Sequence, residues 1–210
     1  GPFALYCNTE GGYNTALGDR ALLNNTTGSS NFAVGRNSLT YNTTGNLNTS
    51  IGSTALQNNT TGGCNVAIGE YALHLGLSGC HNVAVGQHAL CSSYGGTLNV
   101  AIGKESLRSN TTGSCNVAIG NNTLRKNTTG SWQTAVGLCA LCNNTTGYGN
   151  AAFGNLALCG NTTGVDNVGV GYLALGDNVS GSCNVAVGYQ SLKQSVSGTH
   201  NFASGACALF

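Results

Sequence analysis

The sequence predicts an all-β fold: a single parallel β-solenoid, of the β-helix or β-roll type, spanning residues 1–210 in about 12 coils of 17 residues each. Three observations predict it. One 17-residue register runs through the chain without insertion or deletion, two glycine columns recur in every copy, and each copy holds one short β-branched run. With the recurrent Asn as position 1 (Asn14, Asn31, Asn48 and onward to Asn201, replaced once by Gln133), the consensus reads N-[VT]-A-[VI]-G-x-x-A-L-x-x-N-T-T-G-x-x. Positions 5 and 15 are Gly throughout and together hold 25 of the 33 glycines; position 9 is always Leu. Helical repeats need roughly 33 residues or more for two helices, so the repeat is read as strands.

Within a coil, V-A-[VI], as in Val66, Ala67 and Ile68, has strand composition and alternation and stops at a Gly able to turn a corner with positive φ. A-L-x reads as a second short strand. N-T-T-G reads as a tight turn, with Asn bonding locally and Gly in the left-handed position. Coils stacked about 4.8 Å apart would make a rod roughly 60 Å long. Stacking turns each position into a column. Positions 2 and 4, such as Val83 and Val85 or Val100 and Ile102, are expected to form the narrow core with the Leu column. Positions 3 and 5, Ala and Gly, are expected to form a flat outer strip. That strip is read either as an interface or as small merely because the coil is thin. All thirteen charged residues fall at positions 6, 7, 10, 11, 14 and 17, which are expected to face solvent or sit at corners.

Charged residues are only 6% of the chain and the net charge is +1, which leaves no basic footprint for nucleic acid and no polybasic membrane patch. No apolar run approaches the about 18 residues of a membrane span, so no membrane insertion is expected. Paired carboxylates, nucleophile elbows and phosphate loops are missing, so the chain is read as a non-enzyme without cofactors.

The run from Gln133-Thr134-Ala135-Val136-Gly137 through Asn144-Thr145-Thr146-Gly147 resembles the N-T-A-V-G-x-x-A-L-x-x-N-T-T-G repeats of bacterial, phage and algal-virus fibre or surface proteins. N-V-A-[VI]-G is also similar to the shorter head repeat of trimeric autotransporter adhesins. The resemblance covers essentially the whole chain and implies a solenoid used as a fibre shaft or an adhesive head. Ten cysteines set this chain apart from that pattern.

Those cysteines suggest an oxidising compartment. Cys142 and Cys159 share position 10 in adjacent coils, within disulfide range, and Cys64 with Cys80 is the second candidate pair. Cys7, Cys91, Cys115, Cys139, Cys183 and Cys207 have no same-column neighbour in an adjacent coil, which makes them candidates for intermolecular bridges or free thiols. Position 12 supplies sequons at Asn25, Asn42, Asn59, Asn110, Asn127, Asn144, Asn161 and Asn178, candidates for covalent glycans or for hydrogen-bonded ladders at the turn. His74 and Cys91 share position 10 with His88 nearby, but surface neighbours of this kind are the ordinary case and no metal site is expected.

The chain runs from position 5 to position 10 with no atypical capping repeat, and Phe3 and Phe210 lie at the two faces. Head-to-tail stacking would cover both edges and propagate an open filament. The expected function is therefore a structural subunit of an extracellular fibre or filament (secreted, cell-surface or virion appendage), with itself as partner. The alternatives are an adhesin or receptor- or carbohydrate-binding fibre head, and an ice-binding solenoid. Adjacent Thr26 and Thr27 oppose the last, because neighbouring strand side chains face opposite ways.

Overall fold

The V-A-[VI] runs form strands, and they are the only strands in the chain. The computed structural model describes residues 1–210 and has two compact units, Gly1–Glu105 and Ser106–Phe210. The first contains β1 (Thr15–Leu17), β2 (Phe32–Val34), β3 (Thr49–Ile51), β4 (Val66–Ile68), β5 (Val83–Val85) and β6 (Val100–Ile102). The second contains β7 (Val117–Ile119), β8 (Thr134–Val136), β9 (Ala151–Phe153), β10 (Val168–Val170), β11 (Val185–Val187) and β12 (Phe202–Ser204). Within each unit every strand pairs in parallel with the next, one repeat further on: Val66 lies opposite Val83, Ala67 opposite Ala84 and Ile68 opposite Val85. The fold is thus an all-β parallel solenoid with one coil per 17-residue repeat.

Inside and outside are the reverse of the expected arrangement. Ala67, Ala84, Ala101 and their equivalents at position 3 are fully buried, while positions 2 and 4 are half-buried or exposed. The interior of the coil explains the reversal. It already holds the Leu column from Leu22 to Leu175, position 8 (mostly Ala) and two columns of Asn, all buried. The strand contributes only a methyl, or at Ser50 a hydroxymethyl, to this space, so the β-branched side chains turn outward. Where β3 places Ser50 at this position, Ser38 at position 8 donates to it at 2.7 Å and Ser50 donates to the Ala55 carbonyl, so no buried hydroxyl is orphaned there.

A-L-x is not a strand but a turn. The position-9 leucines adopt φ between 48° and 54°, and positions 7 and 17 are also left-handed with non-glycine residues, such as His88 at 57° and Trp132 at 56°. Each such leucine gives up roughly 1–2 kcal/mol of backbone preference against about 1.5–3 kcal/mol from burial. The net gain is small, so the coil relies on hydrogen bonds. Leu22 N donates to Ser38 O at 3.0 Å, Asn24 N to Thr40 O at 2.9 Å and Thr26 N to Thr43 O at 3.0 Å, which continues the stacking through the turns.

Glycine serves two different purposes. Gly69 at position 5 has φ +129°, and a Cβ there would lie 2.7 Å from the Gly86 carbonyl oxygen. Gly28 at position 15 has no positive φ, contrary to expectation; it is required by space, since a Cβ would sit 2.5 Å from both Asn25 Oδ1 and Gly45 O. Gly28→Ala is expected to destabilise by at least the about 1–3 kcal/mol of ordinary overpacking, read from denaturant midpoints.

The Asn columns explain that crowding. Asn48 donates its backbone N–H and side-chain Nδ2 to Asn31 Oδ1, at 3.0 and 3.1 Å, and Nδ2 also reaches Gly62 O at 2.9 Å. Asn59 at position 12 donates to Asn42 Oδ1 at 2.7 Å and to the same Gly62 O at 3.0 Å. Gln133 breaks the position-1 ladder: its Nε2 still reaches Gly147 O, but its Oε1 is buried without a partner. Gln133→Asn is expected to restore acceptance from Asn150 and raise unfolding stability by about 1–3 kcal/mol, the usual cost of an unmet buried acceptor, measured by chemical denaturation.

Candidate self-association surface

Because positions 2 and 4 point outward, the strand face carries an apolar ladder. In the first unit Leu17, Phe32, Ile68 and Ile102 are exposed on it; in the second, Ile119, Phe153, Val187 and Phe202. No charged residue occupies any of positions 1 to 5, and the polar side chains in the two columns are the hydroxyls of Thr15, Thr49, Thr134 and Ser204. The Ala column expected on the outside is buried, so the outward face of the strands is that of the β-branched columns. Periodicity could not indicate this, because a three-residue strand alternates equally well in either phase.

The eight sequon asparagines, Asn25, Asn42, Asn59, Asn110, Asn127, Asn144, Asn161 and Asn178, are all fully buried. Asn144 Nδ2, the atom that would carry sugar, donates to Asn127 Oδ1 at 2.8 Å and to Gly147 O at 3.0 Å. The folded coil has no room for a glycan there, so these residues are corrected from glycan sites to ladder rungs. The Thr at position 13 is committed in the same way: Thr26 Oγ1 donates to Thr43 O at 3.0 Å.

None of the ten cysteines forms a disulfide. Cys142 and Cys159 are neighbours as expected but not bonded, because both sulfurs point along the stack: Cys142 Sγ donates to Cys159 O at 3.7 Å and Cys159 Sγ to Gly176 O at 3.4 Å. In the second pair Cys80 Sγ accepts from Gly63 N at 3.4 Å instead of joining Cys64. Of the six intermolecular candidates, Cys115, Cys183 and Cys207 are exposed, whereas Cys7, Cys91 and Cys139 are half-buried. Phe3 and Phe210 are 55% and 54% exposed; Phe3 meets Tyr6 edge-on, and Lys193 lies over the Phe210 ring.

His74, Tyr71 and His88 form an aromatic cluster, with Tyr71 stacked on His88 at 5.0 Å and edge-on to His74 at 5.3 Å. No group of three or more His, Cys, Asp or Glu side chains has the geometry to hold a metal ion, and no helix is long and apolar enough to cross a membrane. Comparison with family models, with curated proteins and with solved structures returned no match.

Two titrations follow from burial. Desolvation holds the His74 imidazole below its ordinary value of 6.5, opposed by a hydrogen bond to the Thr54 backbone and reinforced by His88. Below pH 6.5 the unfolded chain takes up the proton that the fold refuses, so stability falls as pH drops. Desolvation, then the neighbouring Cys139 and Cys159 thiols, push Cys142 from 9.0 up to about 11. Above pH 9.0 the unfolded chain loses a proton the fold retains, so stability falls as pH rises until about 11. Urea midpoints across both ranges are expected to show these two declines, with His74→Gln flattening the acid one and Cys142→Ser the alkaline one.

Proposed function

We propose that this chain is a non-catalytic structural subunit of an extracellular fibre or filament, associating with copies of itself through the outward ladder of positions 2 and 4. The observation that carries the reading is an uncharged, mostly apolar strip, with Thr15, Thr49, Thr134 and Ser204 as its hydroxyl residues, on a chain whose charges all lie elsewhere. Six strands about 4.8 Å apart and three residues wide make a strip of about 290 Å² per unit. That is well short of the about 800 Å² per partner of a stable two-body interface. One strip does not hold two copies together; several engaged at once do, through effective concentration. Multi-copy lateral assembly suits this surface better than an isolated dimer. The resemblance to fibre repeats and the cysteine content support the extracellular setting.

Negative-stain electron microscopy and light scattering on the purified chain test this. Wild type is expected to give multi-copy assemblies at micromolar concentration, and Ile68→Lys with Ile119→Lys is expected to give monomers with an unchanged circular dichroism spectrum, since both side chains face out. Single-file filaments that survive both substitutions would support the head-to-tail route through Phe3 and Phe210 instead, and a monomeric wild type would sink self-assembly altogether.

A further inference from the structure

We propose that Cys139 and Cys142 are an intracoil dithiol that oxidises to a disulfide within one rung, leaving Cys159 a free thiol. The run Cys139-Ala140-Leu141-Cys142 occupies positions 7 to 10. A backbone turn closes across these positions in other coils, with Leu23 N donating to Arg20 O and Cys159 N to Leu156 O, both at 3.3 Å. Ends of such a turn lie within about 7 Å at Cα, and a disulfide accepts about 4.4–6.8 Å. Side chains at the two positions do meet: Phe3 touches Tyr6 with ring centres 5.8 Å apart, and Tyr71 touches His74 at 5.3 Å. In the coil in question, Cys139 is near enough to be among the causes that raise the Cys142 thiol, after desolvation.

Cys159 is the competing partner, and geometry disfavours it. Its sulfur aims at the Gly176 carbonyl while that of Cys142 aims at the Cys159 carbonyl. The two sulfurs are thus displaced in parallel, about one coil spacing of 4.8 Å apart, where a disulfide needs about 2.05 Å. Position 7 of the Cys159 coil is Leu156, so Cys159 has no intracoil thiol partner of its own.

The oxidant is a small-molecule disulfide such as oxidised glutathione. The Cys139 thiolate attacks one sulfur, forming a mixed disulfide and releasing one glutathione thiolate. Cys142 then loses its proton, swings off the Cys159 carbonyl and attacks Cys139 Sγ, expelling the second glutathione. Two protein thiols are oxidised to one disulfide, one glutathione disulfide is reduced to two thiols, and both protons pass to glutathione. Cys142 enters second because burial keeps its proton on until about pH 11.

The folded wild-type chain, equilibrated with oxidised glutathione, alkylated and mapped by tandem mass spectrometry, tests this. The expected result is a Cys139–Cys142 link, with alkylation of both falling in step while Cys159 stays alkylated. In Cys142→Ser, glutathione is expected to remain on Cys139. A Cys142–Cys159 link would overturn the proposal. So would full alkylation of Cys139 and Cys142 under conditions that place glutathione on the exposed Cys115 and Cys183.

Discussion

The carbonyl of the position-15 glycine is the atom on which each coil depends. At Gly62 it accepts Asn48 Nδ2 from one side and Asn59 Nδ2 from the other, closing the coil where its two ends meet. The oxygens of those asparagines are then free to accept from the next coil, as Asn48 Oδ1 does from Asn65. One buried amide thus closes its own rung and bonds two neighbours. Any Cβ at position 15 would displace that amide, which explains a glycine with no positive φ. Where the ladder lacks its next Asn, the cost is visible: Asn59 Oδ1 and Asn178 Oδ1 are orphaned because position 12 of the following coil is Gly76 or Ser195.

Such dependence on hydrogen bonds follows from the thinness of the interior. A three-residue strand contributes one buried methyl, as Ala67 does, and Leu73 contributes most of the remaining apolar burial in its coil. Leu73 is itself held at φ 49°, so much of its hydrophobic gain offsets backbone strain. Buried amides otherwise costly to dehydrate become the cohesive element because nearly every donor and acceptor is met by an identical residue one coil away.

Period, class and coil number were legible in the sequence because identical residues 17 apart leave only stacking as an explanation. The phase of the strand was not. Val66 and Ile68 look like core residues and Ala67 like a spacer by hydrophobicity alone; the outcome turned on how much volume Leu73 and the two Asn columns had already taken. Turn geometry at position 9 was hidden for a related reason, since leucine is a poor left-handed residue and adopts that conformation here only because the ladder over-determines it. The sequons misled in the opposite direction: N-T-T has the same spelling whether the amide carries a sugar or, as at Asn144, two hydrogen bonds.

The same division of labour decides where chemistry sits. Positions 1, 3, 5, 9, 12 and 15 are held nearly constant by the interior, so variation is confined to columns whose side chains leave the stack. Positions 7 and 10 hold Tyr71 with His74, His88 with Cys91, and Cys139 with Cys142, while position 17 carries the exposed Cys64, Cys115 and Cys183. Reactive groups at these places leave the ladder untouched. Positions 2 and 4 vary too, from Thr134 to Phe153, but remain uncharged throughout, although lysine at an outward strand position would cost the isolated chain little. Exclusion of charge from an exposed column is not a requirement of this fold, and it is the observation on which the proposed self-association rests.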